Sequence, residues 1–339
     1  MKKIIILLFI VLVSIESIFA TNYYQEKLNT KDNHLYTKIL SALLEEKDSI
    51  EIDTDYSSAD IQKVFDFVFK DNPQIFYANQ SYNYKWKEES NGKKVSANIE
   101  FSYKTFDRSI KYERDLVEKK VLKYVDILKK LDSPYQQIRT MYKYFALTRN
   151  YDLSLIDDQS AYSVLINKRG VCASYARAFQ YIMNSLGIPC IVVTGELKGI
   201  PHAWNMVEIE NLWYHIDVTN GNSGYDDYYS YEFFLLPTAL MGKSVTIDND
   251  IPEANSDKYN YFKNNSLYFS SFNEFIISNR IIDAVSKGEK GITLNFKDKK
   301  DLVKAQDYLI NKQYIYSLIE TNNISYSSNR NRNLLTIHF

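Results

Sequence analysis

The sequence predicts an α+β protein built around one helix and a run of antiparallel strands, with a smaller α+β module on either side. Three observations predict it. First, Tyr175, Ala176, Phe179, Ile182, Met183 and Leu186 recur at helical spacing and end at Gly187-Ile188-Pro189, one apolar helix face followed by a stop. Second, three strand-like runs follow, Cys190 to Val193, His202 to Ile209 and Leu212 to Val218, the last two separated only by Glu210-Asn211, the length of a tight hairpin turn. Third, the segments before and after this centre each run helix, strand, helix, hairpin.

Met1-Lys2-Lys3, the ten apolar residues Ile4 to Val13 and a stretch ending at Ala20 form a positive region, an apolar region and a cleavage site. This is the pattern of a signal peptide over residues 1–20, too short for a membrane span and interrupted by Glu16. Export is expected, to a secreted, periplasmic or cell-surface location, with no transmembrane anchor after cleavage. Losing two lysines and one glutamate with this segment would change the formal net charge from −1 to −2.

Residues 21–131 form the first module and a linking helix. Leu35 to Glu46 reads as helix, Ile50 to Ile52 as strand and Ser58 to Lys70 as helix, broken by Asn72-Pro73. Ser81 to Glu88 and Lys94 to Lys104 flank Ser90-Asn91-Gly92 as a hairpin. Arg108 to Lys130 is a long amphipathic helix stopping at Ser133-Pro134. Residues 132–247 are the centre. In residues 248–339, Phe275 to Ser286 and Lys300 to Asn311 read as helices around the strand Ile292 to Phe296. Tyr314 to Ile319 is apolar, and Asn323 to Tyr326 pairs with Leu334 to Phe339. Ile50-Glu51-Ile52 matches Ile292-Thr293-Leu294, and Tyr84 matches Tyr326, at one offset of 242 residues, so the two flanking modules are expected to be related.

Within the centre, Gly170-Val171-Cys172-Ala173-Ser174 opens the helix, His202 follows Cys172 by thirty residues, and Asp217 follows His202 by fifteen. A thiol nucleophile needs a base to ionise it and a group to orient the base. Cys172 is expected in the first helical turn, where the helix dipole favours the thiolate and free N–H groups lie near an oxyanion. With Ile209 facing Leu212 across the turn, His202 lies opposite Thr219 and diagonal to Asp217 on one sheet face. A slip of one residue would separate them.

The runs GVCASYARAFQYIMNSLGIP and HAWNMVEIENLWYHIDVT resemble the transglutaminase-like superfamily, whose members share a papain-like thiol core with Cys, His and Asp in this order. The similar part covers roughly Gln159 to Thr219, under a fifth of the chain. The resemblance implies a papain-like transglutaminase core flanked by the two modules, with Cys172 as nucleophile, His202 as base and later acid, and Asp217 as its orienter. Tyr162, ten residues before Cys172, is a candidate oxyanion donor, and Trp204 and Trp213 are candidate walls of the substrate cleft. His215 shares a strand face with Asp217 and is a decoy base. The loop from Asn220 to Tyr231 is placed to line a substrate groove.

The expected reaction is acyl transfer on peptide or carboxamide bonds through a thioester, resolved by water or an amine, on surface or cell-wall proteins and peptides. The alternative is a non-catalytic surface-binding or structural protein that keeps the fold. Nucleic acid is not an expected partner, because the near-neutral charge provides no basic footprint. Two cysteines and four histidines offer no metal-ligand spacing, so neither metal nor cofactor is expected. Cys190, inside Ile188 to Val193, is read as a buried apolar filler. Twenty-nine tyrosines against ten glycines imply many half-exposed rings, suited to packing or to stacking on a polymer.

Overall fold

The computed structural model describes residues 22–156, 158–222, 228–248, 251–320 and 323–339. The signal-peptide expectation lies outside the described residues, as do residues 223–227 of the loop expected at the groove.

The chain opens with α1 (Thr30–Leu44), β1 (Ser49–Ile52) and α2 (Ser58–Asp71). α1 begins five residues before the apolar pattern suggests because the Asn29 side chain accepts the Asp32 N–H at 2.9 Å and caps the helix. α2 starts at a capping box between Ser57 and Asp60. β2 (Ala78–Glu88) and β3 (Lys94–Tyr103) form the expected hairpin, and β3 also pairs antiparallel with β1, giving the sheet order β1-β3-β2. α3 (Ile110–Leu128) then leads to α4 (Pro134–Thr148). Ser133-Pro134, expected as a stop, is a start: Ser133 Oγ accepts the Gln136 N–H at 3.3 Å, and Pro134 fills a first-turn position where no donor is needed.

The central elements are β4 (Asn150–Tyr151), α5 (Ala161–Leu165), β5 (Arg169–Gly170), α6 (Cys172–Ser185), β6 (Cys190–Leu197), β7 (Ile200–Ile209) and β8 (Leu212–Ile216). After a short α7 (Thr238–Met241), β9 (Val245–Ile247) completes an antiparallel sheet in the order β8-β7-β6-β9. Tyr175, Ala176, Phe179, Ile182 and Met183, the apolar face read from the sequence, are all buried on α6.

The last part contains α8 (Tyr261–Asn264), β10 (Tyr268–Phe269), α9 (Glu274–Ser286), β11 (Gly291–Phe296), α10 (Lys299–Gln306), α11 (Ile315–Leu318), β12 (Ser325–Asn329) and β13 (Leu334–His338). α10 runs on through a wider turn over Asp307–Asn311. Its sheet order is β10-β11-β13-β12. In both flanking sheets one strand, β1 in the first and β11 in the second, pairs antiparallel with the second arm of a later hairpin. One row reads Ile50, Ile99, Tyr84 and the other Ile292, Ile337, Tyr326. The residues matched at the 242-residue offset therefore occupy the same places in the two sheets.

One apolar interior runs from Leu35 and Phe65 through Phe145 to Phe179 and Ile182, joining the first module to the centre. A separate interior, including Ile281, Leu294 and Phe296, belongs to the C-terminal module. Tyr24 pins the start of the described chain to the central sheet: its ring is buried, its hydroxyl donates to the Val192 carbonyl of β6, and its N–H donates to Asp71. Among the described residues no helix is long and apolar enough to cross a membrane.

Candidate active site

The turn Glu210-Asn211 sets the site. Both residues have positive φ, 55° and 62°, as a two-residue hairpin turn matched to strand twist requires. Ile209 pairs with Leu212 and the register continues to Asn205 opposite Ile216. His202 and Asp217 consequently share a sheet face, and His202 Nε2 lies 2.7 Å from Asp217 Oδ2. Asp217 is fully buried. Its Oδ1 accepts the N–H groups of Thr219 at 3.0 Å and Asn220 at 3.2 Å, while Asn220 Nδ2 donates to Oδ2 at 2.6 Å. Together these hydrogen bonds fix the direction of the carboxyl group.

With Nε2 held by Asp217, Nδ1 is the imidazole nitrogen left for Cys172, and the two side chains are hydrogen-bonded. Cys172 is the first residue of α6, after Val171, which provides no side-chain cap. Burial resists ionisation of the thiol, but the bond and charge of His202, together with the N–H groups of Ala203 and Ala173, outweigh it and hold the thiol below its ordinary range. Burial alone would lower the basicity of His202; Asp217 and Cys172 reverse this and push it up to about 10. A thiolate beside an imidazolium is the state this arrangement favours.

Both cysteines are free. Cys190 lies in the core, where burial raises its thiol well above the ordinary value and keeps it protonated. The decoy His215 accepts from Trp204 Nε1 at 3.0 Å through Nδ1, and its Nε2 meets Thr238 Oγ1 at 3.0 Å. Burial lowers it to about 4. A neutral ring with both nitrogens occupied is a packing element, and it steadies Trp204.

Three expected site residues fall elsewhere. The Tyr162 hydroxyl donates to Glu113 Oε2 at 2.9 Å, and its ring packs against Phe76 and Phe106. It braces α5 against α3, because a helical aromatic ten residues upstream points away from the start of α6. Trp204 is buried beneath the site, its ring stacked 6.0 Å from that of His202, and forms no open cleft wall. Trp213 lies opposite Glu208 near the turn of the hairpin, with its ring 6.1 Å from that of Tyr23. Six residues of strand, about 20 Å, separate Glu208 from His202.

Two residues missed in the sequence stand beside the triad. Asn220 holds Asp217 and approaches His202 Nε2 at 3.4 Å. Its position directly after Asp217-Val218-Thr219, on a residue type suited to turning back on its own backbone, was the available signal. Tyr151 lies opposite Gly170, two residues ahead of Cys172, with its ring 6.5 Å from that of Tyr175. It had no signal, since a pairing between two-residue strands leaves no periodicity. Gly221 is required by close approach: a Cβ there would lie 2.9 Å from Tyr142 Cζ. Among the described residues no group of three or more His, Cys, Asp or Glu side chains is arranged to hold a metal ion.

Residues 124–218 match the model of the transglutaminase-like superfamily core. The chain is 27% identical over 148 residues to the Kyphoscoliosis peptidase of Mus musculus, a stretch that is 37% of this chain and 22% of that protein. The chain thus spans about a fifth of that relative's length. Among solved structures, the crystal structure of a TGase shares 16% identity with a TM-score of 0.31, covering 54% of this chain and 53% of its own. The periplasmic domain of TgpA from Pseudomonas aeruginosa, bound to ethylmercury, shares 18% identity with a TM-score of 0.28, covering 39% and 58%. Cys172, His202 and Asp217, arrayed across one helix start and one hairpin, all lie inside the stretch that is similar to the transglutaminase-like superfamily core.

Proposed function

We propose that this protein is an exported thiol acyl-transfer enzyme acting on peptide or carboxamide bonds of surface or cell-wall proteins. The observation that carries the reading is the continuous line of hydrogen bonds from the buried Asp217 through His202 to a thiol held below its ordinary range. The Cys172 thiolate attacks the carbonyl carbon, forming the C–S bond and a tetrahedral oxyanion. His202 gives its proton to the departing nitrogen as the C–N bond breaks, leaving a thioester and a free amine. Water or a second amine then attacks the thioester as His202 takes its proton, and the thiolate and imidazolium are restored. Asp217 holds the ring through both proton transfers and stabilises its charge. Export rests on the N-terminal sequence pattern, and the name of the mouse relative, a peptidase, suits hydrolysis as one outcome of the same intermediate.

The test is a product analysis. The mature protein is incubated with a glutamine-containing peptide, with and without a lysine peptide as acceptor, and the products are weighed by mass spectrometry. Loss of ammonia with an isopeptide bond indicates transfer, and free acid or cleaved peptide indicates hydrolysis. Either product should vanish in Cys172→Ala; a product formed equally by that variant would overturn the reading.

A further inference from the structure

A groove of about 690 Å³ lies between the central domain and the C-terminal module. Asn220 and Lys198, the latter in the turn between β6 and β7, line one wall; Ser327, Ser328 and Asn329 of β12 and Arg330 just beyond it line the other. Asn220 is the residue that holds Asp217 and approaches His202, so the groove opens beside the triad. Its two walls are tied together by a short run of hydrogen bonds. Ser230 N donates to Gly221 O at 2.9 Å, Glu232 N to Ser230 Oγ at 3.1 Å, and Asn329 Nδ2 to Glu232 Oε1 at 2.5 Å.

Side chains alternate between the two faces of a strand, yet the consecutive residues Ser327, Ser328 and Asn329 all line this groove. It therefore runs along the edge of β12 and not across one face. β12 is the last strand of its sheet. It pairs with β13 on one side, and among the described residues no backbone hydrogen bond reaches the other. An open edge of this kind is a template for an extended chain, which gains main-chain hydrogen bonds there while its side chains meet the walls. Among the described lining residues the one carboxylate is that of Glu232, already bonded to Asn329 and 3.9 Å from Arg332. Lys198 and Arg330 are exposed, and their charge is left for a ligand.

We propose that an extended acidic segment of the protein substrate lies in this groove, paired with the open edge of β12 and met by Lys198 and Arg330. The C-terminal module then has a task in the reaction, which is to select the chains that bring a carbonyl to Cys172. Carboxylates in such a segment gain two cations and meet one carboxylate that is already bonded. A lysine-bearing segment meets two like charges instead, and like charges set against each other suppress wrong partners. This assignment rests on the acyl-transfer reading.

Two glutamine-containing peptides that differ only in their flanking residues, aspartates in one and lysines in the other, are offered together to the mature protein, and the products are weighed by mass spectrometry. The ratio of their kcat/KM values should favour the acidic peptide about tenfold, the worth of two solvent-exposed ion pairs. Lys198→Glu combined with Arg330→Glu should reverse the preference, with an unchanged melting curve as the check on its fold. Methylating backbone nitrogens of the acidic peptide away from its glutamine should raise its KM, because those donors are the ones that pair with β12. Equal use of the two peptides by the wild type, an acidic preference that survives the double substitution, or a KM indifferent to methylation would overturn the assignment. 4-Nitrophenyl acetate, an ester small enough to reach Cys172 without the groove, tests the triad separately: the C–S bond forms and nitrophenolate leaves. Release no faster than in Cys172→Ala would overturn the acyl-transfer reading, and the assignment with it. Faster release with no turnover of the acidic peptide would overturn the assignment alone.

Discussion

His202 is the residue on which two opposing effects meet. Burial disfavours its charge, yet Asp217 and Cys172 push it up to about 10 while Cys172 is held down. The ion pair therefore exists between those two values. Its contribution to stability is lost as pH falls through the depressed thiol value and as pH rises through about 10. Acyl transfer should follow a bell with an acid limb from Cys172 and an alkaline limb near 10 from His202, while alkylation should show the acid limb alone, since it needs no proton donor. A pH–rate profile with the glutamine-containing peptide and with iodoacetamide checks this. Asn220 acts on the same pair through Asp217 Oδ2; Asn220→Ala should slow acylation about tenfold, the worth of one charge-assisted hydrogen bond, with little change in substrate KM. Gly221→Ala must move the Tyr142 ring, 2.9 Å from the new Cβ, and should cost about 1–3 kcal/mol in denaturant unfolding. The convergence of Cys172, His202 and Asp217 was legible because the helix and the hairpin that carry them have a register set by their own runs of side chains. Asn220 and Tyr151 were not, because a loop and a two-residue strand carry no period.

Among the elements, the β7–β8 hairpin matters most, since its turn decides which face Asp217 occupies. Glu210 and Asn211 hold left-handed conformations that cost a residue other than glycine or asparagine about 1–2 kcal/mol. Replacing the pair by Asn-Gly should stabilise the protein by about 1 kcal/mol, read as a raised denaturation midpoint with the alkylation profile unchanged. The exchange also removes the ion pair between Lys258 and Glu210, which is exposed and adds little to stability. The pairing of Ile209 with Leu212 was readable because only two residues lie between them. The start of α4 was misread because Ser-Pro serves equally as a stop and as a cap followed by a first-turn proline. What distinguishes them is the amphipathic run after Pro134, with Ile138, Met141, Tyr142 and Phe145 buried.

At the scale of the whole molecule, the continuous interior joins the first module and the thiol core, while the C-terminal module keeps its own. The two meet where Tyr228 bonds Thr293 at 2.9 Å and Asn329 Nδ2 donates to Glu232 at 2.5 Å, in the segment that follows Asp217. Calorimetry should resolve two transitions. Phe296→Ala, a buried ring in the C-terminal interior, should lower one by about 3–5 kcal/mol and leave the other in place. The element order of the flanking modules was legible from pattern, but the shared interior was not, because helix faces reveal that they are buried and not against what. The Cys172–His202 pair lies at the centre of the larger unit. Its most direct test is the rate of iodoacetamide alkylation of Cys172 against pH in the mature protein, beside His202→Ala. Reactivity should persist well below the ordinary thiol value of about 8.5 and be lost there in the variant. A rate that rises only near the free-thiol value in both proteins would contradict it.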